Sequence, residues 1–464
     1  SFTMNDSINL VMQTAKRIFF VGIGGISMSS LAFVCLERGY DVRGSDRVRS
    51  PMTERLEGAG IPVVYEHRAD NIDGCDAVVY TGAVSMENPE LAAAAAHGIP
   101  TIYRADLLGY IMKDYTHRIG ISGMHGKSTA TSMMAHMFLA AGRRPTVLSG
   151  AETNEMGGAY TIGGRDYFIF EACEYKDSFL CFYPTVSVVL DIDVDHTDYF
   201  SGGIGQIEKS FAKYAHLPFE SQNVLPFTVA NADDDNVKES LTDIPVLVTF
   251  GIKNAADYMA ENIVISEGRP SFDIRKGDKI LAHIDLAVYG YHNIYNALAA
   301  AAVGDMLGIS AADIASTLAT FEGLRRRFEY KCTVNGARVY IDYAHHPREI
   351  AATLRAARGM AHGRLICFFE PHTYSRTAAL WDGFTRCFEE ADDVYFLDIY
   401  AAREENIYGV SSEKLAAATP NAGYIASYSQ AAETVRRDAR PGDTVMILGA
   451  GTIDRVAELL TENE

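Results

Sequence analysis

A glycine-rich loop between a predicted strand and a predicted helix carries a lysine and a serine side by side. The segment Gly120-Ile-Ser-Gly-Met-His-Gly-Lys-Ser-Thr129 follows an apolar strand at His117–Ser122 and precedes a helical run at 129–141. Backbone N–H groups at a helix N-terminus can bind phosphate, lysine can reach the terminal phosphates of a nucleotide, and a serine hydroxyl can ligate Mg²⁺. Ile121 stands where the strict phosphate-loop consensus has its first glycine, so only the shorter pattern Gly123-x-x-Gly126-Lys127-Ser128 is present. We therefore predict a nucleotide-phosphate site at Gly123, Met124, His125, Gly126, Lys127, Ser128 and Thr129.

Acidic residues mark the ends of two further predicted strands. Glu171 and Glu174 lie at the end of Tyr167–Glu171, and Asp191-Ile-Asp-Val-Asp-His196 ends a strand at 186–192. Open α/β sheets place their sites at the carboxyl ends of strands, and carboxylates with a nearby imidazole can hold Mg²⁺ against ATP phosphates. A solvated loop or a core histidine would explain either cluster alone. Because both follow a phosphate loop, we predict that Glu174 and His196 bind magnesium.

A second glycine turn, Gly22-Ile-Gly24-Gly25-Ile-Ser27, follows the first predicted strand. Ser27 stands where a dinucleotide-binding fingerprint has glycine, while Asp46 ends the next strand, where an acidic residue would meet a ribose. A nicotinamide cofactor, a different nucleotide and a merely tight strand–helix turn are all compatible with this pattern. The glycines alone do not decide among them.

Composition limits the class of protein. The chain has 464 residues, 48% hydrophobic and 22% charged, which indicates a globular protein of two to three domains. A net charge of −19 argues against a nucleic-acid partner. The seven cysteines are scattered without a CxxC pair, which indicates reduced thiols. No apolar run is long enough for a membrane span, and residues 1–7 lack the layout of a signal peptide, so we expect a cytoplasmic protein without a membrane partner.

Strands and helices alternate along the whole chain, which predicts an α/β fold. The first region has strands at 18–21, Ala77–Tyr80 and 99–103 and an alanine-rich helix at 91–96. The second contains the loop and the acidic strand ends. The third opens with a hairpin at 331–340 that turns at Asn335-Gly336, followed by strands at Leu365–Phe369, 393–397 and Thr444–Leu448. We expect domains at 1–113, 114–323 and 324–464.

Several motifs follow one another along the chain. They are Gly123-Met-His-Gly-Lys-Ser128, Glu171-Ala-Cys-Glu-Tyr-Lys176, Asp195-His196, Tyr291-His-Asn293, Gly323-Leu-Arg-Arg-Arg-Phe328, Asp342-Tyr-Ala-His-His-Pro347 and Pro371-His-Thr-Tyr-Ser-Arg-Thr377. Their order resembles that of the Mur ligases, and the resemblance spans essentially the whole chain. The Asp342 and Pro371 segments, with the Gly22 turn, look most like the alanine-adding branch of that family.

The resemblance implies a fold of three domains: a Rossmann-like UDP-sugar domain, a central P-loop-type ATPase domain with a mostly parallel sheet, and a Rossmann-like C-terminal domain. It implies ATP- and Mg²⁺-dependent ligation of L-alanine to the lactyl carboxylate of UDP-N-acetylmuramate through an acyl phosphate, in peptidoglycan precursor synthesis, by a monomer or weak homodimer. Three alternatives remain: a related ligase for a recycled muramyl peptide or another amino acid, an NAD(P)-dependent oxidoreductase, and a non-catalytic nucleotide-binding regulator.

The resemblance also implies roles for individual residues. For ATP and metal, these are Lys127 on the phosphates, Ser128 and Glu174 on one Mg²⁺, Glu174 and His196 on a second, Asn293 on adenine, Arg327 on the γ-phosphate and Asp342 on the ribose. For the other substrates, these are His125, Tyr343, His345, His346 and Arg376 around the muramyl carboxylate and the amino acid, and Gly22, Gly24, Gly25 and Asp46 for the UDP sugar. The catalytic set would be Lys127, Glu174, His196 and Arg327, and the base would be His196, His345 or His346.

Several of these residues also have plain structural explanations. The run 325–327 could be a solvated face, His345 and His346 could cap a helix, and Asn293 could be a helix N-cap. Arg376 could pair with one of the many carboxylates. Residues 231–235, Asn-Ala-Asp-Asp-Asp, are expected to form a solvated loop without chemistry.

Overall fold

The computed structural model describes residues 4–148, 161–193, 203–220, 224–324, 326–402 and 404–462. They form two compact units. The first contains the chain up to Met259 together with Arg275–Lys279 and Tyr295–Thr317, and the second contains Ala260–Ile274, Ile280–Ile294 and the chain from Leu318 onward. The predicted α/β class is confirmed, with a mostly parallel sheet for each of the three predicted domains. No helix among the described residues is long and apolar enough to cross a membrane.

The first sheet has five parallel strands in the order β3-β2-β1-β4-β5. This order puts the ends of β1 and β2 side by side, so that the turns after Val21 and Ser45 meet at one edge. Helix α3 begins where Ser50 forms a capping box ahead of Pro51. The elements are β1 (Arg17–Val21), β2 (Asp41–Ser45), β3 (Val63–Val64), β4 (Ala77–Tyr80), β5 (Thr101–Tyr103), α1 (Met4–Thr14), α2 (Ile26–Glu37), α3 (Pro51–Gly58), α4 (Pro89–Ala96) and α5 (Arg104–Met112).

The second sheet has nine strands, and six of them, in the order β11-β10-β9-β6-β8-β7, are parallel and largely buried. Its strands read as continuous apolar runs because helices cover both faces of such a sheet. Ile121 pairs with Glu171 and Ser122 with Val189, so β6, β8 and β9 end at a common edge. The elements are β6 (His117–Ser122), β7 (Thr146–Leu148), β8 (Tyr167–Glu171), β9 (Val186–Val189), β10 (Phe227–Asn231), β11 (Leu247–Gly251), α6 (Lys127–Ala140), α7 (Ile204–His216) and α8 (Asp235–Ser240).

Three strands and two helices follow: β12 (Tyr258–Ser266), β13 (Arg269–Lys276), β14 (Lys279–Asp285), α9 (His292–Met306) and α10 (Ala311–Thr320). In the first unit, Tyr258 and Met259 of β12 pair with the end of β11. Helix α9 carries the buried alanine run Ala299–Ala302, which suits a helix because alanine has the highest helix propensity.

The third sheet has the order β15-β16-β20-β17-β18-β19, parallel except for the β15–β16 hairpin. The hairpin turns at Asn335-Gly336, as predicted. Leu448 of β20 pairs with Asp342 on one side and Phe369 on the other, so the segments that follow these strands share one edge. The elements are β15 (Glu329–Val334), β16 (Ala337–Asp342), β17 (Leu365–Phe369), β18 (Asp393–Phe396), β19 (Ala422–Tyr424), β20 (Thr444–Leu448), α11 (Pro347–Met360), α12 (Tyr374–Ala379), α13 (Trp381–Arg386), α14 (Ser412–Ala417), α15 (Tyr428–Asp438) and α16 (Arg455–Thr461).

Candidate active site

The glycine-rich loop connects β6 to α6, and its two central glycines are required by geometry. Gly126 has φ +77°, a left-handed conformation that costs a side chain energy, and it is the residue from which α6 starts. A Cβ added at Gly123 would lie 2.7 Å from Asp191 Oδ1. The helix begins at Lys127, two residues earlier than predicted, because Gly126 already turns the chain. The loop therefore presents Lys127 and Ser128 in the first turn of a helix.

Three donors of this loop are each bound by a carboxylate. Lys127 Nζ donates to Glu174 Oε2 at 2.8 Å, the Ser128 hydroxyl donates to Glu171, and the His125 N–H donates to Asp191 Oδ1 at 3.1 Å. Burial disfavours the charge of Lys127, but the Glu174 carboxylate outweighs it and raises the pKa of the ammonium above its usual range. The lysine is therefore charged. The Lys127 ammonium, the Ser128 hydroxyl and the His125 N–H are groups predicted to contact phosphate. In this structure, carboxylates contact them instead.

Two aspartates after β9 flank His125. Besides the contact of Asp191 with its backbone, His125 Nε2 lies 3.5 Å from Asp193 Oδ2. Burial raises the pKa of Asp191 to about 6, against the opposing effects of the His125 ring and N–H. Sequence reasoning assigned roles to Glu174 and His196 in these acidic segments but not to Glu171, Asp191 or Asp193. Their alternation with apolar residues at a strand end was the available signal.

The predicted magnesium ligands are only partly brought together. Ser128 and Glu174 both lie at the loop, while His196 lies outside the described residues. Within the ranges that the structure describes, no three His, Cys, Asp or Glu side chains converge as a metal site. The candidate metal ligands around Lys127 are nevertheless oxygen atoms, of Ser128, Glu171 and Glu174, and oxygen is the hard ligand that Mg²⁺ prefers.

Helix α9 supplies two asparagines. Asn293 is buried and its Nδ2 donates to Tyr289 O at 2.8 Å, inside the first turn of the helix. The N-cap alternative is wrong because α9 already begins at His292. Asn296, also buried, was missed from the sequence; its Oδ1 would lie 3.5 Å from a Cβ added at Gly126. A carboxamide therefore faces the phosphate loop. The adenine role of Asn293 stays a prediction.

The Gly22 turn and Asp46 form one local structure in the first sheet. Asp46 accepts from the N–H of Gly24 at 2.8 Å and from that of Val48 at 3.2 Å. A Cβ at Gly24 would lie 2.6 Å from Asp46 Oδ2, so a side chain there would displace the carboxylate. The turn residues Gly22, Gly24 and Gly25 are therefore brought together with Asp46, as predicted, although their UDP-sugar role stays a prediction.

A buried glutamate next to this turn escaped sequence reasoning, which identified only an alanine-rich helix there. Glu90, in the first turn of α4, accepts from Ser45 Oγ at 3.0 Å and Asn71 Nδ2 at 2.9 Å, and its Oε2 is 2.9 Å from His67 Nδ1. Ser45 ends β2, immediately before Asp46. The cluster thus holds the strand end that carries the predicted sugar-nucleotide residue.

In the second unit, Arg327 lies against two carboxylates. Its Nη1 is 3.4 Å from Glu349 Oε2 and 4.0 Å from Asp342 Oδ1, and its guanidinium lies 5.0 Å from the Tyr343 ring centroid. Burial opposes the charge of Arg327, but the two carboxylates outweigh it and raise the pKa of the guanidinium above its usual value. Arg326 donates to the carbonyl oxygens of Gly449 and Gly451 at 2.5 and 2.7 Å. The solvated-face alternative is therefore wrong for both, while Arg325 lies outside the described residues.

Asp342 ends β16 and holds the backbone around Arg327. Its two oxygens accept from the N–H groups of Phe328 and Ala344, each at 2.8 Å. Burial raises the pKa of Asp342, against the opposing effects of Arg327 and these N–H groups. This arrangement shows what the carboxylate does in the protein alone. Its contact with the ATP ribose stays a prediction.

The His345–His346 turn joins β16 to α11. His346 is the N-cap of α11, its ring nitrogen accepting from Arg348 N, so the capping alternative holds for His346. His345 donates from Nδ1 to Tyr343 O at 3.1 Å and contacts the ring of His372 edge to face. His345 is therefore fixed by its neighbours, and its substrate role stays a prediction.

Arg376 lies in the first turn of α12 and follows the N-cap Thr373, which adopts φ +64°. Its Nη1 is buried without a hydrogen-bond partner among the described residues. The alternative of a pairing with a carboxylate is therefore not observed in the part of the chain that the structure describes. A buried guanidinium nitrogen of this kind suits an external carboxylate.

Residues 231–235 do not form the solvated loop that we expected. Asn231 is buried and donates to Leu190 O at 3.1 Å, and Asp233 accepts from the N–H groups of residues 252–254 and from the Tyr295 hydroxyl. Asp234 is the N-cap of α8. The physical reason is that β10 ends between β9 and β11, where unpaired backbone amides need acceptors.

Mur ligase family models match three successive parts of the chain. The Mur ligase family catalytic-domain model matches residues 17–116, the Mur ligase middle-domain model 121–304, and the Mur ligase glutamate ligase domain model 326–451. These ranges fall inside the three predicted domains except for the last few residues of the first. The predicted boundaries themselves stay predictions.

Curated relatives and a solved structure match nearly the full length. The UDP-N-acetylmuramate–L-alanine ligase of Caldicellulosiruptor bescii is 42% identical, covering 96% of this chain and 98% of that protein. The protein of the same name from Caldanaerobacter subterraneus is 43% identical, covering 98% and 99%. The structure of UDP-N-acetylmuramate-alanine ligase from Thermotoga maritima gives a TM-score of 0.79 at 26% identity, covering 97% and 99%. The chain is therefore an enzyme that belongs to the Mur ligase family.

Proposed function

We propose that this enzyme joins L-alanine to the lactyl carboxylate of UDP-N-acetylmuramate at the expense of ATP, giving ADP and phosphate. The observation that carries the proposal is the phosphate loop, with Lys127 and Ser128 in the first turn of α6, in a chain 40–43% identical over nearly its full length to proteins named for that reaction. The same finding favours a ligase over the nicotinamide-dependent oxidoreductase that the Gly22 turn left open.

The chemistry explains why a nucleotide is needed. A carboxylate resists attack by an amine because it is negatively charged and oxide is a very poor leaving group. In the proposed first step, a carboxylate oxygen attacks the γ-phosphorus of ATP as the bond to ADP breaks, which produces an acyl phosphate. The amine of alanine then adds to the acyl carbon and loses a proton, and phosphate leaves with the electrons of the C–O bond.

Lys127 and Arg327 are the proposed cationic contacts of the phosphates. Negative charge spreads over the transferring group in the first step, and cations held in place stabilise it without reorganisation. Lys127 is already charged and largely buried at its loop. Since its ammonium is bound to Glu174, ATP binding requires that Lys127 exchange this partner for a phosphate oxygen.

The oxygen donors at the loop support a magnesium requirement. In the proposal, Ser128 and Glu174 hold one ion, and Glu174 with His196 holds a second. A bound Mg²⁺ would neutralise charge on the ATP phosphates. The contact between Ser128 and Glu171 would open so that the hydroxyl oxygen can turn to the ion. Asn293 and Asp342 are proposed to contact the adenine and the ribose.

The amino acid is proposed to bind near the end of the third sheet. Arg376 would bind its carboxylate, with Tyr343, His345 and His346 around the reacting groups and His125 at the muramyl carboxylate. A base must take the ammonium proton, and His196, His345 and His346 are the candidates because imidazole titrates in the needed range. The Gly22–Gly25 turn and Asp46 would bind the UDP sugar.

One experiment tests the function. Purified protein is incubated with ATP, Mg²⁺, UDP-N-acetylmuramate and each amino acid in turn, and ADP and the amide product are measured. We expect ADP and amide in equal amounts, with L-alanine preferred, and loss of both when EDTA removes the metal. Absence of ADP formation with every amino acid would refute the ligase proposal. Preference for another amino acid, or for a tripeptide, would correct the substrate; light scattering would test the proposed monomer or weak homodimer.

A further inference from the structure

Glu349 uses its two carboxylate oxygens on two different parts of the second unit. Oε1 accepts from the backbone N–H of His346 at 3.2 Å and lies 3.5 Å from that of His345. Oε2 lies 3.4 Å from Arg327 Nη1. The side chain is partly buried, with 23% exposure, the same as Arg327. A single carboxylate therefore contacts both the arginine and the histidine turn.

An ordinary helix cap explains only half of this arrangement. His346 and Glu349 form a capping box at the start of α11, in which the glutamate binds the N-cap backbone. The cap needs one oxygen, and the second would normally face water. Here it faces a guanidinium. Asp342 is further from Arg327, at 4.0 Å, and both of its oxygens already accept backbone N–H groups. Glu349 is therefore the carboxylate best placed to orient Arg327.

The backbone on both sides of Arg327 is held in place, so the orientation of its guanidinium depends on side-chain contacts. Arg326 and Phe328 both have positive φ, +61° and +46°, a conformation that non-glycine residues adopt only when their surroundings enforce it. Arg326 is held by the Gly449 and Gly451 carbonyls and Phe328 N–H by Asp342. With its backbone held on both sides, Arg327 needs only a side-chain contact to aim its guanidinium.

We propose that Glu349 is a positioning residue that fixes the Arg327 guanidinium and the His345–His346 turn with respect to each other. The proposal rests on the proposed function, in which Arg327 contacts the γ-phosphate and the turn lies at the amino-acid site. One carboxylate would then set the geometry of both subsites. Small misplacements of positioned groups cost large factors in rate, so loss of this contact affects turnover more than stability.

Two substitutions separate the two oxygens. Glu349→Gln keeps an amide oxygen for the backbone N–H groups, as glutamine does in capping boxes, but replaces the oxygen facing Arg327 with an NH₂ group. Glu349→Ala removes both contacts. We expect Glu349→Gln to keep the melting temperature and the KM for alanine near those of the wild type while kcat/KM for ATP falls at least fivefold. Glu349→Ala should raise the KM for alanine as well and lower the melting temperature.

The matched control is Glu458→Gln, which removes an exposed carboxylate paired with Arg455 and should change none of these values. A double-mutant cycle with Arg327→Ala completes the test: Glu349→Gln should have little further effect on kcat/KM for ATP once the arginine is gone. A change of less than fivefold for Glu349→Gln, or full additivity with Arg327→Ala, would overturn the proposal in favour of a helix cap alone. If the wild-type protein formed no ADP, the proposed function would fail instead.

Discussion

The phosphate loop and the Arg327 segment each set one cation against carboxylates, but they hold it in different ways. Lys127 makes one close ion pair, 2.8 Å from Glu174, at the start of a regular helix. Arg327 lies further from two carboxylates, at 3.4 and 4.0 Å, in an irregular segment before β15. The lysine is thus held by a residue that is itself a predicted metal ligand, and in the proposed function ATP binding breaks the pair. The arginine is oriented by residues with other structural tasks, and its pairs can persist.

The backbones differ in the same sense. Where the phosphate loop needs unusual dihedral angles it has glycine, at Gly123 and Gly126, whereas the Arg327 segment places Arg326 and Phe328 in the left-handed region. Glycine adopts such angles without strain, while other residues need support from their surroundings. The first site is therefore encoded locally, and the second depends on contacts from β16 and from the turn after β20.

The largest effect is expected when Lys127, the cation of the phosphate loop, is removed. Lys127→Ala should lower ADP formation by about 10³-fold, since a fixed charge at the transferring phosphoryl group is lost. Phosphate release with saturating UDP-N-acetylmuramate measures it. Lys16→Ala, which removes an exposed lysine of the first unit, is the control and should leave the rate unchanged. A Lys127→Ala rate close to that of the wild type would remove the phosphate-loop assignment.

A charge-conserving change probes the arginine. Arg327→Lys keeps the positive charge but loses the planar fork that can contact a carboxylate and a phosphate together, so we expect kcat/KM for ATP to fall about tenfold. The melting temperature should change little because Asp342 still holds Phe328. If lysine supported full activity, charge alone would account for the site and the contrast between a paired and an oriented cation would be lost.

The ionisation of Asp191 gives a pH-dependent prediction for the phosphate loop. Its pKa is raised from the usual 3.8 to about 6 in the folded protein, so the folded protein binds this proton more tightly than the unfolded chain does. The stability that the tighter proton binding contributes is fully present below pH 3.8 and is lost as the pH rises through 6. Asp191→Asn does not titrate and keeps an oxygen for the His125 N–H. Relative to wild type, the variant should therefore gain about 2 kcal/mol in unfolding free energy between pH 4 and pH 7. Urea unfolding at both pH values measures this difference, and a difference that does not grow with pH would contradict it.

The smallest effect concerns the glycine of the loop. Gly126→Ala forces a side chain into φ +77° and should cost about 1 kcal/mol of stability. Thermal unfolding measures it, with Gly205→Ala in α7, where the added Cβ meets nothing within 4 Å, as the control. Equal melting temperatures for Gly126→Ala and the wild type would show that the loop tolerates the strain and would weaken the contrast between the two backbones.

Local features could be predicted from the chain alone. The phosphate loop, the acidic strand ends and the hairpin at Asn335-Gly336 each lie within about ten consecutive residues, and their conformations depend on glycine dihedral angles, helix starts and strand patterns. The order of motifs along the chain indicated the family, and the family models and relatives confirmed it. The residues that were named from motifs are therefore those with a local signal.

The partners of those residues depended on tertiary structure. Glu171 meets Ser128, and Asp191 meets His125, because β8 and β9 flank β6, and no short stretch of sequence specifies that neighbourhood. The same is true of Glu349, which looks like an ordinary cap residue until Arg327 lies beside it. Asn231, which is buried and donates to Leu190 O, and Asp233, which accepts the backbone N–H groups that follow β11, looked like part of a solvated loop for the same reason. Hydrogen bonds within a turn are set by a few dihedral angles, whereas pairings between distant segments are decided by the order and register of strands in the folded sheet.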